Sequence, residues 1–263
     1  MLERLVDAFV SGFVFPGILW YQLLIGIGLA IVFGAIWFAP YWTPILRKPW
    51  AWAVLAGSAI FTWIAVAFIQ GSFTYWTNSW FINQFGQETF QSQILLMAIP
   101  SILYTGLVQE GAKLVPVVIW WWKCSRSIGP KLGLAIGAVA GLGFGVFEAV
   151  WLHNKIFMAG WTWEAVQGGG VLALAPFWER FFAVGLHVAM SGLAGYGLAK
   201  GWGWQFYLLA SFLHALTNYS AILLISKVMT GIQVEIYLAV MTTIVTGVVL
   251  WLRWKKPDIS SIA

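Results

Sequence analysis

Ionisable and amide side chains interrupt otherwise apolar stretches of this chain at helix-compatible spacings. They are Gln109-Glu110-x-x-Lys113, Phe144-x-x-x-Glu148, His187-x-x-x-Ser191 and His214-x-x-x-Asn218. A charged side chain at the centre of a bilayer costs roughly 2.5–3.5 kcal/mol on insertion scales, so several at similar depth point to one shared polar site. Two carboxylates, two imidazoles and two amides could supply bases, proton carriers and hydrogen-bond donors for developing negative charge.

The surroundings of these residues define what must hold them. The chain has 263 residues, is 61% hydrophobic and only 9% charged, and its mean hydropathy is +0.84. Soluble domains carry about a quarter charged residues, so this is the composition of an integral membrane protein. A spanning helix needs about 20 apolar residues. The apolar runs predict an all-α bundle of about seven transmembrane helices, at 17–38, 50–70, 93–122, 132–153, 171–199, 204–226 and 234–252. The expectation is one membrane domain over 1–263, with the chemistry in a core at 93–226.

Charge sorts the connections. Arg47, Lys48, Lys123, Arg126, Lys131, Lys200, Arg253, Lys255 and Lys256 fall on one side, and only Arg4, Lys155 and Lys227 on the other. Lys and Arg favour the cytoplasmic side, which predicts an N-terminus outside and a C-terminus in the cytoplasm. The net charge of +5 is therefore read as membrane orientation in a cell (inner or plasma) membrane, not as affinity for nucleic acid. Many of the 19 tryptophans stand near segment ends, as an aromatic belt would. No segment reads as a cleavable signal peptide. The lone Cys124 offers neither a disulfide framework nor metal-ligand spacing. The outer connections at 71–92 and 153–170 are aromatic and nearly free of basic residues. They are open to two readings: caps over a cavity, or segments lying in the headgroups.

The elements constrain the polar residues further. Gly133, Gly137, Gly141 and Gly145 form a ridge of small residues on the fourth helix, which lets a neighbouring backbone come close. Glu148 shares the face of Gly141 and should point into the bundle. Lys113 follows Glu110 on the same face, where a self-neutralising ion pair is the plainer reading. Pro116 should kink that helix and free carbonyls beside the pair. Arg180, His187 and Ser191 form one stripe on the fifth helix. Arg180 lies near the outer boundary, where it snorkels or pairs with Glu148 or Glu179. His214 and Asn218 taken alone read as polar glue between helices. Counted from the helix ends, however, Glu110, His187 and His214 reach comparable mid-membrane depth, with Glu148 nearer the outside. His153, followed by Asn154 and Lys155, is read as interfacial and set aside.

The order of these motifs resembles the PrsW-type intramembrane proteases, within the wider superfamily of CAAX prenyl proteases and bacteriocin-processing enzymes. That pattern is Glu-Glu-x-x-Lys/Arg, Phe-x-x-x-Glu/His, a helix-borne His, and His-x-x-x-Asn/Asp. Here it reads Gln109-Glu110-Gly111-Ala112-Lys113, Phe144-Gly145-Val146-Phe147-Glu148, His187, and His214-Ala215-Leu216-Thr217-Asn218. The resemblance implies hydrolysis of a peptide bond in or next to the membrane, with lipid and a transmembrane or membrane-adjacent peptide as partners. It implies catalytic roles for Glu110, Glu148, His187, His214 and Asn218. Gln109, Lys113, Phe144, Arg180 and Ser191 would bind substrate or support the site. Glu148 is the expected base, His187 the proton carrier, and His214 and Asn218 the oxyanion donors.

One departure bears on activity. Gln109 replaces the first glutamate of the family's pair, and an amide cannot act as a general base. Glu110 or Glu148 would then take that role. The alternatives are a pseudo-protease that binds a transmembrane partner, or a proton-coupled transporter. Two histidines and a glutamate also match a catalytic zinc shell, so zinc is the candidate cofactor, with Glu148, His187 and His214 as ligands. There is no His-Glu-x-x-His helix.

Overall fold

The computed structural model describes residues 15, 17–41, 44–124 and 127–255. Arg4, Arg126 and Lys256, used above to sort the connections, lie outside the described residues. The described chain is helical, with seven helices long and apolar enough to cross a membrane: Trp20–Tyr41, Pro49–Phe85, Ile94–Lys123, Pro130–Met158, Trp163–Ala199, Gly203–Ile225 and Gly231–Trp254. They are numbered here as the first to seventh spans. No strand occurs among the described residues. The protein is an all-α, multi-pass membrane bundle.

Prolines start several helices where the missing N–H has no intrahelical partner to lose. Pro49 opens the second span and Pro130 the fourth. The seventh begins with a capping box, in which the Thr230 hydroxyl accepts from the Gln233 amide and the Gln233 side chain accepts from the Thr230 amide. Pro116 sits inside the third span, which stays helical through it. Its buried ring faces Gly57 of the second span, where an added Cβ would come within 3.4 Å.

The fourth and fifth spans form the centre of the bundle. About four-fifths of the best apolar window in each is buried (78%), against a third or less in the others. Those others turn their large apolar side chains outward. Trp20, Ile31, Trp52, Leu103, Phe212 and Ile236 are all exposed, as expected for surfaces facing lipid.

Two connecting segments differ from the sequence reading. The stretch after residue 70 is not a separate connection, because the second span runs on as the helix Gly71–Phe85. It is held to the third span by stacking of Phe73 on Tyr104, with ring centroids 3.7 Å apart. The junction is a π-helical turn, Ala65–Gln70. Likewise, the fourth span extends to Met158, so His153 lies inside it, fully buried. Its Nδ1 is 2.9 Å from the carbonyl oxygen of Gly26 in the first span, and its ring packs against Phe33 and Phe177. His153 therefore ties two spans together and is not interfacial.

Candidate active site

Two backbone-to-backbone contacts bring the polar residues together. A Cβ on Gly141 would stand 2.1 Å from the carbonyl oxygen of His187, so only glycine lets the fourth and fifth spans touch there. Two turns beyond Gly141, Glu148 meets His187, with Nε2 and Oε2 3.0 Å apart. Gly106 does the same between the third and sixth spans, where a Cβ would stand 2.1 Å from the Ser211 carbonyl oxygen. One turn on, Glu110 Oε1 lies 2.7 Å from His214 Nδ1.

Lys113 joins the two halves. Its ammonium donates to Glu110 Oε1 at 2.5 Å and to His187 Nδ1 at 3.0 Å. An unbroken series of contacts therefore runs from Glu148 through His187, Lys113 and Glu110 to His214. At its outer end Arg180 donates to Glu148 Oε2 at 3.2 Å and pairs with Glu179. Glu110 and Lys113 are completely buried. Each carboxylate faces a cation, which offsets the cost of holding charge away from water.

Only part of this series is open to solvent or substrate. A cavity of about 340 Å³ is lined by Glu148, Arg180, His187, His214, Asn218 and Gln70 among others. Glu110 and Lys113 stand behind its wall. A larger cleft of about 770 Å³ is walled by apolar side chains and holds none of the ionisable cluster. Phe144 is buried edge-on to His187 at 5.1 Å between centroids, with the Lys113 ammonium 5.7 Å from its ring. Ser191 is not joined to the series. It is buried, its Oγ has no hydrogen-bond partner, and its carbonyl packs on Gly137.

Gln70 has no counterpart in the sequence reading. Its Oε1 accepts from Gln109 Nε2 at 2.9 Å. The π turn that ends at Gln70 adds a residue to one helical turn and so rotates the side chain relative to a regular helix, a distortion that often marks functional sites. An amide at the end of an apolar run gave no signal. A helix spanning 49–85 with Gln70 inside the bilayer would have.

The geometry also suits a divalent metal. Glu110, His187 and His214 each offer one donor atom, all within 4.8 Å of one another. Tetrahedral zinc with bonds near 2.0 Å asks for donors about 3.3 Å apart, within reach of small side-chain rotations. Glu110 Oε2 is buried without a hydrogen-bond partner, which leaves one carboxylate oxygen for such a bond. The donor set differs from the sequence expectation in holding Glu110, with Glu148 one contact further out on His187.

No curated protein and no solved structure matches the chain significantly. A family profile does match, over residues 48–248, which covers every residue of the series and of the cavity wall. With its buried glutamates and histidines inside a seven-span bundle, the chain belongs to the PrsW family of intramembrane metalloproteases.

Proposed function

We propose that this protein hydrolyses a peptide bond of a transmembrane or membrane-adjacent substrate, with Glu148 as the base that activates water. The observation that carries this reading is the series Glu148–His187–Lys113–Glu110–His214, both ends of which line the cavity. Of the two central carboxylates, Glu148 has a partly exposed side chain and lines the cavity, whereas Glu110 is sealed. Both hydrogen bonds to Glu148 fall on Oε2, which leaves Oε1 for a water molecule.

Proton positions in this reading follow from the partners. A lysine ammonium only donates, so His187 Nδ1 accepts and its proton sits on Nε2, directed at Glu148. A proton taken from water by Glu148 then lies one hydrogen bond from His187, which returns one to the leaving amine. His214 gives its Nδ1 proton to Glu110, so a neutral ring presents only an acceptor at Nε2. The Asn218 amide is therefore the donor for the tetrahedral oxyanion that needs no extra proton; losing one such donor typically costs about 2.7–4 kcal/mol. A divalent ion held by Glu110, His187 and His214 would polarise the scissile carbonyl and acidify a bound water. Arg180 holds Glu148 in place between the fourth and fifth spans.

We also infer that the protein sits in a cell membrane with its N-terminus outside, on the charge distribution of the connections. In that orientation the cavity, walled by Arg180 and Glu179 at one end, faces the outer half of the bilayer. The test of the catalytic reading is cleavage of membrane-embedded reporter peptides by the purified protein. Glu148→Gln and His187→Ala should each lower cleavage at least a hundredfold, with the folded protein still recovered from membranes. Cleavage that survives both substitutions would remove these residues from the reaction.

A further inference from the structure

Lys113 occupies a specific place. Of the three residues that would hold a metal, its ammonium contacts two, at Glu110 Oε1 (2.5 Å) and His187 Nδ1 (3.0 Å), and the third, His214, is bonded to the same Glu110 oxygen. It is fully buried, with the ring of Phe144 on another side. It has no second anion in contact: Glu110 is its one ion-pair partner among the described residues.

We propose that the Lys113 ammonium is a resident cation in the metal position, so that Lys113 and a divalent ion compete for Glu110 and His187. This rests on the proposed site, in which Glu110, His187 and His214 are the metal-holding residues. A metal held by Glu110 and His187 would draw on the same carboxylate and imidazole that the ammonium engages. An ammonium hydrogen-bonded to both of those side chains, at Glu110 Oε1 and His187 Nδ1, occupies the space between them. Two cations that close repel strongly in a medium of low dielectric constant. Metal binding thus requires the Lys113 side chain to swing out, and the energy of that displacement is subtracted from metal affinity.

The arrangement has two consequences. Without metal, Lys113 keeps the carboxylate and the imidazoles assembled, where an unpaired buried Glu110 would be costly. With metal, the site trades one cation for another without changing its donor set. The protein should accordingly bind zinc more weakly than a two-histidine, one-glutamate shell lacking a lysine.

The experiment measures metal binding directly, apart from peptide cleavage. Purified protein without a polyhistidine tag is titrated with Co²⁺, whose visible absorption reports histidine ligation, and then with Zn²⁺ in competition. Lys113→Gln keeps a donor for Glu110 but removes the charge. It should bind Zn²⁺ at least tenfold more tightly than wild type, and His214→Ala in that background should cancel the gain. A Lys113→Gln protein that binds within threefold of wild type, or no binding by either, overturns the proposal.

Should Lys113→Gln not fold, wild type supplies the answer. Saturating Zn²⁺ should raise acylation of Lys113 by a membrane-permeant amine reagent severalfold, read by mass spectrometry. Zinc ligated by the histidines with Lys113 labelling unchanged would equally overturn it. Failure of peptide cleavage leaves all of these readings intact, so the competition and the catalytic reading stand or fall separately.

Discussion

The Lys113 ammonium and His187 Nδ1 lie 3.0 Å apart although 74 residues separate them, and a charged ammonium in that place calls for the proton of His187 on its other nitrogen. With Nδ1 accepting, the neutral ring is protonated at Nε2 and aimed at Glu148. ¹⁵N spectra of histidine-labelled protein without metal should show His187 as the Nε2–H tautomer. Lys113→Met should shift that ring toward a mixture of tautomers. A spectrum showing His187 as Nδ1–H in the wild type would break the series at its centre.

The positions of His187 and Glu148 depend on a backbone contact with no room for a side chain. A Cβ at Gly141 would lie 2.1 Å from the His187 carbonyl oxygen, and backbone, unlike a side-chain tip, cannot swing aside. Gly141→Ala should therefore push the fourth and fifth spans apart, costing about 1–3 kcal/mol as overpacking does. Thermal unfolding in detergent should fall by several degrees, and cleavage should fall more than stability does because the Glu148–His187 contact opens. Gly129, with open space around its Cβ position, is the control: Gly129→Ala should leave both nearly unchanged.

Gln70 and Gln109 form an amide pair between the second and third spans, with Gln70 also on the cavity wall. Gln70→Ala leaves the buried Gln109 amide without its acceptor, a loss of about 1–3 kcal/mol for an unsatisfied buried group. The measurable result should be lower thermal stability together with a raised KM for peptide, since a cavity amide is lost as well. Gln70→Glu keeps an acceptor for Gln109 and should recover most of the stability. A fall in kcat with KM unchanged would argue against contact between Gln70 and substrate.

The polar pattern of single helices was legible from the chain, whereas contacts between helices were legible only in part. The apolar runs specify seven spans because membrane thickness fixes their length. The glycine ridge and Glu148 share a face because helical periodicity leaves no other place for them. The Glu110–Lys113 pair follows from i,i+3 spacing. Its link to His187 does not, since no local rule couples residues on the third and fifth spans. Gln70 was hidden for a different reason: a π turn breaks the 3.6-residue period on which face assignments depend. His153 was misplaced because Asn154 and Lys155 looked like a helix end. The helix in fact runs on to Met158, with the Lys155 ammonium set over the Trp151 ring at 4.1 Å.

Gln109 is where this chain departs from the Glu-Glu pair of the resembling proteases, and its surroundings define what a glutamate would do there. It is buried next to Glu110, with Nε2 on Gln70 and Oε1 without a partner. In Gln109→Glu the new carboxylate only accepts hydrogen bonds, and Gln70 can meet it by turning its amide so that the NH₂ faces across. The fold should therefore survive, and an additional carboxylate would stand beside the cavity wall. If Glu148 is the working base, cleavage should be unchanged or modestly increased, because the substitution adds an acid without disturbing Arg180, His187 or Asn218. The double variant Gln70→Glu/Gln109→Glu places two carboxylates face to face and should lose stability relative to either single change. Paired cleavage assays of wild type and Gln109→Glu on the same membrane-embedded peptides decide the matter. A wild type inert toward every peptide, with activity appearing only in Gln109→Glu, would mark the natural protein as a binding relative whose catalytic acid has been replaced.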